Sequence, residues 1–274
     1  MAKKLGLAKS KQLSPVLEKC CLLICANQSY QRAEEDLQML TGVKVGHSTL
    51  HRLVQKAEFD TANSSTVVES LSVDGGKICL RSDEGKGEWR DYKAVSLHGS
   101  VCGAYFQDNE QLSKWVNKQK LAPVINCLGD GHDGVWNIIK TIGDSDSRRE
   151  ILDWYHLVEN LYKVGGSLKR LKKVKNWLWY GLLEEGLEEF GKSERKVVLN
   201  FKAYTNKHRQ RIVDYELYQR LGIEIGSGSV ESKVKQIGSR VKLAGARWKQ
   251  ENVQQILSLR CAYLNGQIKL SISA

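Results

Sequence analysis

The sequence predicts an α/β fold: a mixed β-sheet core, preceded by three helices and interrupted by a helical block. Three observations carry this. Up to about residue 58, apolar residues recur at helical three- and four-residue steps. From Val67 to Leu128 they fall instead in short alternating or continuous runs bounded by Gly, Asp and Asn. From Leu168 the helical spacing returns. Hydrophobic residues make up 41% of the 274, enough for a sizeable core without staples.

Ser14-Pro15 is a helix start, because Ser caps and Pro tolerates the first helical position; it predicts a helix over 15–26. Ser29 caps a second, over 30–41, with Ala33, Leu37 and Leu40 on one face and Gly42 at its end. A third runs over 48–58 with Leu50, Leu53, Val54 and Ala57 inward, leaving His47, Thr49, His51, Arg52 and Lys56 for solvent or DNA. Helix, Gly-containing turn, helix is the helix-turn-helix outline; the alternative is a three-helix bundle that packs on the rest.

Strands are expected at 67–73, 77–81, 89–97 and 100–106, with Asp83 to Gly87 a turn, then a short helix over 110–118. Pro123 to Leu128 is a buried strand, 135–142 a helix, and 151–154 a further short strand. Leu168, Leu171, Val174, Leu178 and Leu182 then mark a long helix studded with Lys169, Arg170, Lys172, Lys173 and Lys175, and a final helix runs from Val230 past Val241. A meander followed by alternating strands and helices is the order of an RNase H-like mixed sheet core. The division this implies is 1–62 helical, 63–155 first part of the core, 156–222 an all-helical insertion, and 223–274 the C-terminal helical part of the core.

The net charge of +11 and pI near 9.2 favour a polyanionic partner, nucleic acid first. The longest apolar stretch, Cys20 to Ala26, is far short of the roughly 20 residues a bilayer needs, and no signal core precedes it, so a cytoplasmic, nucleoid-associated protein is expected. The seven cysteines lack CxxC spacing; they read as buried thiols rather than a zinc site. Walker-type loops, HExxH and GxSxG are missing as well.

Three acids stand out. Asp74, in Ser72-Val73-Asp74-Gly75-Gly76, follows a strand and precedes two glycines, as an oxygen ligand for Mg²⁺ or an ordinary hairpin turn would. Asp130, in Gly129-Asp130-Gly131-His132-Asp133, again leaves a hydrophobic strand. Glu231 falls in the first turn of a helix that Ser229 can cap, with Lys235 and Lys242 along its edge; an i,i+4 surface pair is the plainer reading of it. Read together, three carboxylates can flank two divalent ions for in-line phosphoryl transfer. Residues 232–274 add Lys233, Lys235, Arg240, Lys242, Arg247, Lys249, Arg260 and Lys269 against one acid, Glu251. Trp248 among them is placed in the core.

These strings, with Ile151-Leu152-Asp153-Trp154-Tyr155-His156, Ile225-Gly226-Ser227-Gly228-Ser229-Val230-Glu231-Ser232 and Gly245-Ala246-Arg247-Trp248, resemble the ISKra group of bacterial insertion-sequence transposases, which is similar to the broader Mutator-like transposases. The strings occur in order from Asp74 to the C-terminus, with 56 residues from Asp74 to Asp130 and 101 from Asp130 to Glu231. The resemblance implies an Asp-Asp-Glu transposase with Asp74, Asp130 and Glu231 as catalytic metal ligands, Mg²⁺ or Mn²⁺ as cofactor, and Asp153 and His156 as supporting residues. It further implies terminal inverted repeats and target DNA as partners, and a homo-oligomer on DNA. Arg52, Lys169, Lys173, Lys235, Arg240, Lys242 and Arg247 are the candidate DNA-binding residues. Relatives carry a longer N-terminal region, so a truncated, inactive copy that competes for DNA is one alternative, and a metal-dependent nuclease on the same core is the other.

Overall fold

A computed structural model of the chain describes residues 13–82 and 86–268. Asp83 to Gly85 of the expected turn, and Lys269, lie outside the described residues. The N-terminal helices are α1 (Pro15–Cys25), α2 (Tyr30–Thr41) and α3 (His47–Lys56), with Ser14 and Ser29 capping the first two as expected. The sheet follows as β1 (Val68–Arg81), β2 (Gly87–Leu97) and β3 (Val101–Phe106), then α4 (Asn109–Asn117), β4 (Leu121–Gly129), α5 (Asp133–Ile139) and β5 (Arg148–Leu152). Its strand order is β3-β2-β1-β4-β5. The first three strands form an antiparallel meander, and β4 and β5 run parallel to β1.

Alternation along β1 sends successive side chains to opposite faces. Leu71 and Val73, with Val95 and Leu97 of β2, join a core that includes Val116 of α4 and Val135 and Ile139 of α5. Ile78 and Leu80, with Tyr92 and Ala94, join a second core against the C-terminal and N-terminal helices. Both faces of the sheet are therefore covered, and the end of β4 from Cys127 to Gly129, buried on both sides, reads as a run rather than an alternation.

One sequence expectation is corrected at the centre of this sheet. Strands 67–73 and 77–81 are a single strand, and Asp74-Gly75-Gly76 is no turn: these residues pair with Ala94, Lys93 and Tyr92 of β2 without interruption. The second glycine admits a neighbour instead of bending the chain. A Cβ on Gly76 would lie 2.2 Å from Cζ of Tyr92, whose hydroxyl reaches the Val234 carbonyl at 3.4 Å. Gly76→Ala is therefore expected to cost about 1–3 kcal/mol by overpacking, read from the urea midpoint; an unchanged midpoint would contradict this account.

After β5 the chain runs through α6 (Trp154–Lys163), α7 (Leu168–Trp179), α8 (Leu183–Glu188), α9 (Lys196–Lys207) and α10 (Tyr215–Arg220), an all-helical block between sheet and C-terminal helices. The single long helix expected here is broken: α7 ends before Gly181, which takes the left-handed φ of 72° that glycine tolerates, so Leu182 lies between helices. Trp154, Trp179 and Tyr215 pack ring to ring and tie the block to the end of β5.

The chain closes with α11 (Gly228–Val241) and α12 (Val253–Leu264). Two arginines of this segment point inward. Arg240, placed by sequence among DNA-binding residues, is 1% exposed and donates from Nε to the Cys25 carbonyl at 2.6 Å. Arg260 is also buried and donates to the Ala26 carbonyl at 3.0 Å. Both satisfy carbonyls near the end of α1, which α11 and α12 cover; that is why Arg240 cannot meet a phosphate from the surface. With Gln255 bonding to the Val54 and Ala57 carbonyls, the N-terminal helices are packed on the core and share its apolar interior. Trp248 is buried there as expected, as are Cys21 and Cys25, whose thiols burial pushes up to about 11 and about 12. No helix among the described residues is long and apolar enough to cross a membrane.

Candidate active site

Register places the acids. Parallel pairing of β1 with β4 runs through Val73 opposite Gly129, and of β4 with β5 through Gly129 opposite Leu152. The next residue on each strand is an aspartate: Asp74, Asp130 and Asp153. The ladder continues into this row, since the Asp153 amide donates to the Gly129 carbonyl at 2.9 Å. Asp130 and Asp153 follow the carboxyl ends of their strands, where open α/β sheets place ligands. Asp74 shares the row although its own strand continues.

Helix α11 brings the fourth acid. Its start crosses β1 where Ser229 Oγ meets Ser72 Oγ at 3.0 Å, two residues before Asp74. Ser229 is thus not the cap that sequence suggested; α11 begins two residues earlier than expected, at Gly228 with Ser227 in the cap position, and Glu231 still falls in its first turn. Glu231 is half-buried, with Oε1 3.7 Å from His156 Nδ1 and Oε2 3.7 Å from Lys235 Nζ.

Asp153 works as a clasp. It is fully buried, and its oxygens are already committed. Oδ1 accepts from the His156 amide at 2.7 Å, capping α6, and lies 3.3 Å from His156 Nδ1. Oδ2 accepts from the Ser227 amide and from Ser227 Oγ at 2.7 Å. The Trp154 amide donates to the Ile225 carbonyl at 2.9 Å alongside. The chain leaves the sheet at Asp153 and returns at Ser227, so one carboxylate closes the whole helical excursion and sets the entry of the Glu231 helix.

The electrostatics follow from this crowding. Burial raises the Asp74 pKa, the Gly75 amide at 2.6 Å opposes it, and the charges of Asp130 and Glu231 raise it further. Asp130 and Glu231 thus lie within electrostatic reach of Asp74. Burial also works against the Asp153 charge, yet the bonds from His156 and Ser227 hold this carboxyl below the usual aspartate range. His156 is lifted to about 9, first by Asp153 against the opposing pull of burial, then by the charges of Asp153, Glu231 and Asp130. It stands as an imidazolium at neutral pH.

A cation could be held here. Ligand atoms of Asp153, His156 and Glu231 lie within 4.8 Å of one another. Asp153 has its lone pairs spent, however, and His156 carries a proton. Asp74 and Asp130 are not part of that close group among the described residues; with Glu231 they offer carboxylate oxygens only, the donor chemistry that suits a hard ion such as Mg²⁺ or Mn²⁺.

Among the surface cations named from sequence, Arg52, Lys169, Lys173, Lys235, Lys242 and Arg247 are exposed, with Lys173 held 2.7 Å from Glu189. Sequence reasoning missed three residues. Ser227 carries the clasp. Tyr204 of α9 packs on Gly131, where a Cβ would meet its ring at 2.2 Å; burial and then the charges of Asp130 and Asp153 raise its pKa. Lys93 lies against Gly75. Only the two glycines gave a signal, and glycine next to an acid does not say which neighbour it admits.

No protein-family model matches the chain. It is similar to a Streptococcus gallolyticus protein described as "UPF0236 protein in vanSb 3'region", at 21% identity over 309 aligned positions covering 96% of this chain. The match covers 66% of that relative's length.

Proposed function

We propose that the chain is an Asp-Asp-Glu DNA transposase built on an RNase H-like core, with Asp74, Asp130 and Glu231 as its metal ligands. One observation carries the reading: Asp74 and Asp130 sit side by side in the parallel register, and α11 brings Glu231 within electrostatic reach of Asp74. The strand order, three antiparallel then two parallel, is what such a core needs, and the net charge of +11 suits a DNA partner. Asp74, Asp130 and Glu231 would hold Mg²⁺ or Mn²⁺, which would supply activation of the attacking oxygen and stabilisation of the leaving one.

The chain's own groups do the positioning. Asp153 and Ser227 fix the start of α11, and the His156 imidazolium holds Glu231 towards the row and offsets its charge. A water oxygen attacks phosphorus at the element's end; the P–O3′ bond breaks and the 3′-oxygen takes a proton. That hydroxyl then attacks a phosphorus of target DNA, forming a new P–O bond and expelling the target's own 3′-oxygen. DNA ends, target DNA and self-association on DNA are the partners this reading requires.

Purified protein incubated with Mn²⁺ and a plasmid carrying the gene with its native flanks is expected to yield nicked and joined products. Asp74→Asn, Asp130→Asn and Glu231→Gln should each remove both. Cleavage that survives all three substitutions would sink the assignment; cleavage without joining would make the protein a nuclease.

A further inference from the structure

Past the last β4 pairing at Val73, β1 and β2 stay paired to Arg81 opposite Gly87, with β3 alongside β2 as far as Tyr92 opposite Phe106. A groove of about 300 Å³ runs along β2, lined by Trp89, Arg90, Asp91, Lys93, Gln107 and Asn109. That size is at the lower end of small-ligand clefts, ~300–1,000 Å³.

Lys93 joins this groove to the acidic row. It is the cross-strand partner of Gly75, next to Asp74, and its Nζ would lie 2.8 Å from a Cβ on that glycine. Its Cε would lie 3.5 Å from a Cβ on Gly134, in the turn that follows Asp130. Among the described residues no carboxylate stands within ion-pair distance of Lys93. The ammonium thus stands on the sheet face opposite Glu231, against the backbone next to Asp74 and the turn after Asp130, with no anion of its own.

At the far end of the groove is Trp89. Of the seven tryptophans it alone is exposed, at 56%, while Trp115, Trp136, Trp154 and Trp248 are buried and Trp177 and Trp179 half-buried. Trp89 and Lys93 lie four residues apart on β2, about 13 Å at the usual strand rise, so an indole left in water and a lone ammonium match a short run of unpaired strand, a base face at one and a phosphate at the other. Duplex DNA hides its base faces, and a duplex track needs a run of unopposed cations; here Arg90 is paired with Glu88, and Asp91 is acidic.

We infer that this groove holds single-stranded DNA beside the acidic row, with Trp89 stacked on a base and Lys93 on a phosphate. The inference rests on the DNA phosphoryl-transfer reading above and deepens it by naming the strand state the site receives.

The test is fluorescence anisotropy of the full chain with a labelled oligothymidylate and with a blunt duplex of equal length, over a salt series. Trp89→Ala should weaken single-strand binding about tenfold, with Trp89→Phe close to wild type, and leave duplex binding within about twofold. Lys93→Met should lower the single-strand salt slope by about 0.7, one phosphate contact. Asp91→Asn should tighten it. Circular dichroism melts check that the variants fold. Variants that bind the oligothymidylate like wild type, or lose as much on duplex, overturn the groove. Cleavage assays run in parallel separate the two claims. Wild type that binds through Trp89 but never cuts defeats the transposase reading and keeps the groove. Wild type that cuts, with variants binding equally well, defeats the groove alone.

Discussion

Asp74→Asn is expected to abolish activity and yet stabilise the metal-free protein. Activity should fall by about 10²–10³-fold or more, the scale on which loss of a preorganised electrostatic group is felt. The stability gain has the opposite cause. Burial, then Asp130 and Glu231, raise the Asp74 pKa above its unfolded value, so the fold prefers the protonated form and loses stability as pH rises through that range. Asn stays neutral and removes the penalty, a gain of about 0.5–2 kcal/mol, as for other strained functional sites. A bound divalent ion reverses the order: at a concentration near 100 Kd it stabilises wild type by about 2.7 kcal/mol, and the variant far less. Thermal melts in EDTA and in Mn²⁺ measure both. A variant that melts below wild type in EDTA and gains as much from Mn²⁺ would show that the acids do not share a cation.

The second large effect belongs to Asp153. Asp153→Ala is expected to cost about 3–5 kcal/mol, because it strips the acceptor from the Ser227 amide and hydroxyl and leaves His156 without its closest anion. A double-mutant cycle with Ser227→Ala should show coupling of about 0.5–3 kcal/mol; strict additivity would mean the clasp does not couple sheet and helix.

The same pair shapes stability against pH in EDTA. The Asp153 pKa is lowered in the fold, so its contribution is present above about pH 3.9 and is lost as pH falls through the folded value. The His156 pKa is raised to about 9, so its contribution is full below about pH 6.5 and disappears as pH climbs through 9. Chemical denaturation of wild type should therefore weaken on the alkaline side by an amount on the order of 2 kcal/mol, reduced by the partial exposure of the ring. His156→Gln should flatten that limb; a limb that persists would assign it to another group.

Much of the local structure is legible in the sequence. Ser14 and Ser29 cap helices because a short polar side chain before an apolar period satisfies amides that nothing else can reach. The strands before β5 lie within a few residues of expectation, one of them read as two, since alternation and apolar runs report burial directly; β5 instead spans Arg148–Leu152, and Trp154, expected at the end of that strand, begins α6 after the Asp153 cap. Asp74 was misplaced at a strand end because two glycines after an acid are the local signature of a turn. What overrode that signature was Tyr92, which needs the space above Gly76 and lies on another strand. Local propensity contains no record of such a neighbour.

Arg240 and Lys235 make the same point for charge. Both belong to one basic stretch, and composition treats them alike. Lys235 lies on the outer edge of α11, whereas Arg240 is drawn inward by a carbonyl 215 residues earlier in the chain.

The three acids of the opening argument divide along this line. By itself the sequence determined that Asp74, Asp130 and Glu231 exist in a strand, turn and helix context suited to metal ligation, and that the chain is basic enough to meet DNA. Only the tertiary structure decided that Asp74, Asp130 and Asp153 form one row, because parallel register is a relation between strands. It also decided that Asp153 is spent as a clasp, since its four contacts come from residues on α6 and at the entry to α11, and that Lys93 faces the row from the opposite side. Local sequence reports whether a side chain wants burial, a turn or a cap; which groups share the burial is decided by packing across the sheet.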